Sequence, residues 1–312
     1  MKLRYAALWI CLAALAIVIA IFPEKFVPAC FEGVALWAKC VVPALFPFMI
    51  ITMLFVATGG AAKVSAPFFK ICTRLKLPAA TAAIFIMSVF SGYPAGCRIL
   101  SEFYKRGEIT KRDTALLAPL CSTSGPLFLV GSVGYNMLGD KGAGWLLLAA
   151  HITSVFSVWA VTCLFSKREP QNALLPVCGK RDNILYETFL GGVTSVLVAG
   201  GFICFFYTVA CAAEEFNLLY PLTALLTPLF GGGAQAFAGG LIEATGGCAK
   251  LIAANCPLAL PLSGFLVTFG GASIIAQQMC YLSPCGVSAK KFVFIKFAQA
   301  LLCFALLYLI AP

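Results

Sequence analysis

Ser91-Gly92-Tyr93-Pro94-Ala95-Gly96-Cys97-Arg98 interrupts an apolar run spanning residues 78–100, and Glu243-Ala244-Thr245-Gly246-Gly247-Cys248-Ala249-Lys250 interrupts another spanning 231–254. Each is followed by a second broken run, with Ser122-Thr123-Ser124-Gly125-Pro126 after the first and Phe269-Gly270-Gly271-Ala272-Ser273 after the second. Backbone that leaves the helix at membrane depth must find its hydrogen bonds in protein, water or ligand, because lipid offers none. Paired interruptions in corresponding places of two halves point to a transport site.

The membrane setting follows from composition. Of 312 residues, 61% are hydrophobic and 11% charged, with mean hydropathy +0.97, far from the usage of soluble domains. Runs long enough to span cover residues 6–22, 35–58, 115–135, 145–165, 189–212, 257–282 and 292–310. The first follows Lys2 and Arg4, and Pro23-Glu24-Lys25-Phe26 stands where a small-residue cleavage site would be, so an uncleaved span is expected. The net charge of +10 does not signal nucleic acid, since the basic residues sit between apolar runs, where cytoplasmic loops carry them. The fifteen cysteines include no CxxC and lie largely within apolar runs as packing residues, with Cys30 and Cys256 the nearest to a candidate disulfide. The single histidine, His151, has no ligand-spaced partner, so neither metal nor cofactor is expected.

Charge decides the topology. If both broken runs fold back as re-entrant hairpins and the N-terminus is cytoplasmic, all but Lys25, Lys39, Lys141 and Lys250 of the 22 basic residues fall inside. If residues 78–100 cross instead, the basic loop 101–113 lands outside and basic loops face both ways, against the positive-inside rule. The hairpin arrangement also puts Glu214 and Glu215 in an outer segment without basic residues near them in the chain. The expected fold is therefore an all-α polytopic membrane protein: an inverted repeat with two re-entrant hairpins and two broken transmembrane helices. Its parts are an N-terminal helix and outer loop (1–34), a first repeat (35–165), a cytoplasmic linker (166–187) and a second repeat (188–312). Lys63, Lys70 and Arg74 share one face of an interfacial helix that Pro67 shortens.

The breaks supply the chemistry. Ser122, Thr123, Ser124 and Gly125 before Pro126 suit a helix restart whose free N–H groups favour an anion. Gly270, Gly271 and Ser273 offer bare backbone, and Tyr93 and Phe269 offer rings for stacking. Ser91, Gly92, Tyr93 and Pro94 form the first tip; Glu243, Thr245 and Gly246 form the second. Arg98 and Lys250 hold equivalent places after Gly-Cys or Gly-Cys-Ala, and together would suit a ligand with two carboxylates. Glu243 is open to three roles: pairing with Arg98 or Lys250, binding a substrate donor, or carrying a coupling proton. Lys39 is expected to snorkel to the outer interface.

Leu45-Phe46-Pro47-Phe48, Ser91-Gly92-Tyr93-Pro94-Ala95-Gly96, Ser124-Gly125-Pro126-Leu127-Phe128 with Gly131-Ser132-Val133-Gly134, and Gly240-Leu241-Ile242-Glu243-Ala244-Thr245-Gly246-Gly247 resemble the sporulation integral membrane protein family called YlbJ. The likeness runs over residues 35–310. It implies gate, or nucleoside-recognition, domains similar in arrangement to concentrative nucleoside transporters. It also implies a role in endospore formation, moving dipicolinic acid by alternating access at the outer forespore membrane. The partners expected are a small dipicolinate-like anion and the bilayer, with no nucleic acid and with room left for a homo-oligomer. A nucleoside or nucleobase carrier and a non-transporting sporulation protein are the alternatives. No Walker motif and no nucleophile–base pair is present, so an enzyme is not expected.

Overall fold

The computed structural model describes residues 2–166 and 183–310, and every element among them is helical. Lys167, Arg168, Lys180 and Arg181 of the charge argument, and most of the expected linker, lie outside the described residues. Helix α1 (Lys2–Ile21) is followed by α2 (Pro23–Leu36), a π-helical segment (Trp37–Val41) and α3 (Val42–Ala57). These last three form one continuous helix over Pro23–Ala57. The outer loop expected before residue 35 is therefore helical. Pro23 opens it, its missing N–H and fixed φ being suited to a first turn. Phe26, Ala29 and Gly33 are buried in the fold, and Gly33 lies so close to the Cys204 backbone that a Cβ there would come within 2.9 Å of the Cys204 Cα.

Short helices α4 (Gly60–Ser65) and α5 (Phe69–Arg74), joined through a 3-10 turn containing Pro67, keep Lys63, Lys70 and Arg74 exposed and bury Ala61, Ser65 and Cys72. Then come α6 (Thr81–Ser91), α7 (Ala95–Lys105), α8 (Lys111–Cys121), a second π-helical segment (Leu127–Met137) and α9 (Lys141–Phe165). The second half holds α10 (Ile184–Glu215), α11 (Tyr220–Phe230), α12 (Gly233–Gly240), α13 (Ala244–Ala253), α14 (Ala259–Phe269), α15 (Gly271–Leu282) and α16 (Ala289–Ile310). Five helical stretches among the described residues are long and apolar enough to cross a membrane: Pro23–Ala57, Lys141–Phe165, Ile184–Glu215, Ala259–Cys285 and Ala289–Ile310. The protein is an all-α polytopic membrane protein.

Both interrupted runs double back on themselves: α6 packs on α7, and α12 on α13. Small residues permit the approach. A Cβ on Gly96 would strike Ser88 across the first pair, and one on Gly247 would strike Gly240 across the second. The remaining contacts come in matched sets. Helices α3 and α10 touch each other, as do α9 and α16. Helix α7 packs on α15 while α13 packs on the 127–137 segment, and α8 meets α16 while α14 meets α9. Helix α3 also packs on α6 as α10 does on α12, and α7 on α8 as α13 does on α14.

Candidate functional site

The first break and the first tip are built against each other. Gly92, at φ 66° and ψ −169°, occupies a conformation that is essentially glycine's alone. Its α-carbon faces Gly125, where a Cβ would stand 2.8 Å from the Gly125 nitrogen. Thr123 donates to the Ser88 carbonyl at 3.0 Å, and Ser91 donates to Met87 at 2.7 Å within its own helix. The second break is pinned likewise to the second tip. Ala272 N–H donates to Leu241 O at 2.8 Å and Ser273 N–H to Ile242 O at 3.0 Å, while Gln277 donates to Ser273 Oγ at 3.3 Å. Backbone groups beside both interruptions thus find partners in neighbouring protein.

The two breaks meet in the centre. Tyr93 Oη donates to the Val267 carbonyl at 2.5 Å. Ser124 N–H donates to His151 Nε2 at 3.0 Å, which leaves the proton on Nδ1 to donate to Thr268 Oγ1 at 2.8 Å. Ser122 Oγ donates to Gln278 Oε1 at 2.6 Å. Lys296 Nζ donates to the Ser122 carbonyl at 2.8 Å and sits 5.5 Å from the centroid of the Tyr93 ring. The structure brings the tip residues Ser91 to Pro94 up against the break at Ser122 to Gly125, but the N–H of Ser124 expected for an anion is held by His151. The rings expected to stack on a ligand are also engaged: Tyr93 is buried, and Phe269 packs on Phe265 and Phe297.

The charges fall out differently from the expectation. Arg98 donates to the Gly191 carbonyl and to Ser195 Oγ, and pairs with Glu102 at 3.4 Å. Lys250 pairs with Glu214 at 2.6 Å and lies over the Tyr207 ring. Ser195 and Glu214 belong to the same helix α10, 19 residues apart, so about 28 Å of rise separates the two cations. They do not grip one small ligand, because their partners stand far apart along α10. Glu243 is buried and pairs with neither. Its carboxylate accepts from Thr245 N–H at 3.1 Å and Gly246 N–H at 2.6 Å, capping α13. Glu214 and Glu215, isolated in the chain, find Lys250 and Lys25 in space.

Lys250 instead shares a cavity with Lys39. It holds about 360 Å³ between the π-helical Trp37–Val41 segment, α10 and α13, and is lined by Glu32, Lys39, Cys40, Tyr207, Gly246 and Lys250 among others. Lys39, expected to snorkel, has no carboxylate partner among the described residues. Tyr207 Oη donates to Glu32 at 2.7 Å, and Glu214 Oε1 is buried without a partner. The π-helical wall is itself a local distortion of the kind that gathers at functional sites. Of the residues read from sequence, only Gly246 and Lys250 line this cavity. Lys39 and Glu32 had a signal, being charges a helical turn or two apart in an apolar stretch, but one that reads equally as a pair near an interface.

The fold and its buried polar centre define a polytopic helical membrane protein with interrupted helices meeting inside. No protein-family model and no solved structure matches the chain. The sporulation integral membrane protein YlbJ of Bacillus subtilis (strain 168) is 24% identical over 317 residues, covering 89% of this chain and 75% of the relative. The chain is similar to that sporulation integral membrane protein over most of its length.

Proposed function

We propose that this protein is a secondary carrier, not an enzyme, that moves a small organic anion of the dipicolinate type by alternating access. The observation that carries the reading is the cavity bounded by Lys39 and Lys250 beside the arm of the second hairpin. Its volume, about 360 Å³, is at the small end of ligand pockets. Lys39 offers an unpaired ammonium, and Lys250 offers a second that a ligand carboxylate takes over from Glu214. Tyr207 gives a flat apolar wall with a polar tip.

The matched contacts between halves, and the equivalent cations Arg98 and Lys250 at opposite ends of α10, support an inverted repeat in which each hairpin serves one face of the bilayer. In that topology the N-terminus is cytoplasmic and the cavity opens on the other side, and the likeness to a sporulation integral membrane protein supports a forespore membrane as the location. Pinning of each break on its own hairpin tip gives two units that can rock around the shared centre. A nucleoside is the second reading, favoured by Glu32, which lines the cavity and whose carboxylate oxygens suit ligand hydroxyls. Reconstitution into liposomes decides between them. Uptake of labelled dipicolinate, weakened by Lys39→Met, is expected. Uptake of nucleosides alone moves the assignment to the second reading, and no uptake of either makes this a non-transporting sporulation protein.

A further inference from the structure

Lys296 is fully buried on α16, inside a span, and makes no ion pair among the described residues. Around it stand Tyr93 from the first hairpin tip, Cys97 from α7, His151 from α9 and Cys303 from α16 itself. None of these is a carboxylate. What receives the ammonium is a helix end. Helix α8 stops at Cys121, and its last carbonyls have no partner along the chain. Lys296 takes the Ser122 carbonyl at 2.8 Å, and Gln299, three residues on, takes the Pro119 carbonyl at 3.1 Å. The positive charge therefore sits at the negative end of the α8 dipole and over the face of Tyr93, whose hydroxyl in turn holds Val267. One ammonium ties α16, the first break and the first hairpin tip, three parts that a rocking motion must move against one another.

We infer that Lys296 is a protonation-controlled latch: its ammonium holds the first hairpin tip and the end of α8 against α16, and loss of its proton releases them. A charge buried this deeply without a counter-charge is costly, and giving up the proton removes the cost. The neutral amine keeps only a weaker hydrogen bond to Ser122 and loses its attraction to the Tyr93 ring. Within the transport cycle, a role that rests on the proposed function, Lys296 is then the proton-carrying residue and the proton the coupling ion. As a latch it stands without that reading.

Hydrogen exchange of the purified protein in nanodiscs tests it, followed in peptides covering residues 88–100 and 118–130 from about pH 6 to about pH 10, after correction for the intrinsic pH dependence of exchange. In the unsubstituted protein, protection should fall about tenfold or more as pH rises, the scale of one charge-assisted hydrogen bond. Lys296→Met should be open at every pH, and Lys296→Arg, which keeps its charge, closed at every pH. If Lys296→Met does not fold, the arginine variant decides alone. Equal pH dependence in the unsubstituted protein and Lys296→Arg, or none in the unsubstituted protein, overturns the latch. Dipicolinate and nucleoside binding measured on the same samples reports separately on the transport reading, so a protein that binds neither yet switches keeps its latch and loses that reading.

Discussion

Replacing Gly92 by alanine should loosen the contact on which the first half of the molecule is built. The cost has two parts. At φ 66° and ψ −169° an L side chain is strained, by about 1–3 kcal/mol. The new Cβ would also lie 2.8 Å from the Gly125 nitrogen and 3.0 Å from Leu45 Cδ2, and forcing a methyl into such packing costs a further 1–3 kcal/mol or so. Backbone is the nearer obstacle, so the leucine cannot relieve it alone. The loss is therefore about 2–6 kcal/mol. Gly201 on α10 is the control, because a Cβ there meets nothing within 4 Å, and Gly201→Ala should be neutral or slightly stabilising. Thermal inactivation half-lives in detergent read both, since membrane proteins rarely unfold reversibly. If Gly92→Ala survives as long as Gly201→Ala, the tip is not seated on the break, and the packing argument fails.

Other substitutions probe the remaining contacts. Glu243→Ala removes the cap of α13 and should cost about 1–2 kcal/mol in the same assay, with Glu243→Gln costing less because its amide oxygen still accepts. Arg98→Ala should shorten the half-life by freeing α7 from Gly191 and Ser195, yet leave anion affinity within about twofold; a large affinity loss would return Arg98 to the binding site. Cys30 and Cys204, with sulfurs 3.1 Å apart, should form the cross-link found by peptide mapping after mild copper-catalysed oxidation. A Cys30–Cys256 bridge in its place would contradict the packing of α2 on α10.

The breaks were legible because glycine, proline and serine clusters inside apolar runs are local signals, and the structure makes each interrupted run double back where Gly92-Tyr93-Pro94 and Leu241-Ile242-Glu243 stand. Partnership across the fold was not. Arg98 and Lys250 look like a pair because they follow Gly-Cys in similar stretches, but they contact α10 at places far apart along it. Lys296 passed as one more basic residue following Lys290 and Lys291. Its real signal was Gln299 three residues on: two polar side chains at helical spacing within the apolar stretch 292–310 mark a buried polar face. An outer loop is expected up to residue 34 from the sequence, where Pro23, Glu24, Lys25 and Pro28 punctuate the chain. In fact Pro23 begins the helix, and Lys25 is paired with Glu215 from the far end of α10.

Equilibrium binding of dipicolinate to the purified protein, compared across Lys39→Met, Lys250→Met and Lys296→Arg, tests the central claim most directly. Losing a charge-assisted contact at either cavity lysine should weaken binding about tenfold to hundredfold, while the folded fraction stays intact and Lys296→Arg still binds. Binding that ignores both Lys39→Met and Lys250→Met, or that is absent from the unsubstituted protein, would contradict the assignment of the cavity between α2, α10 and α13 as the anion site.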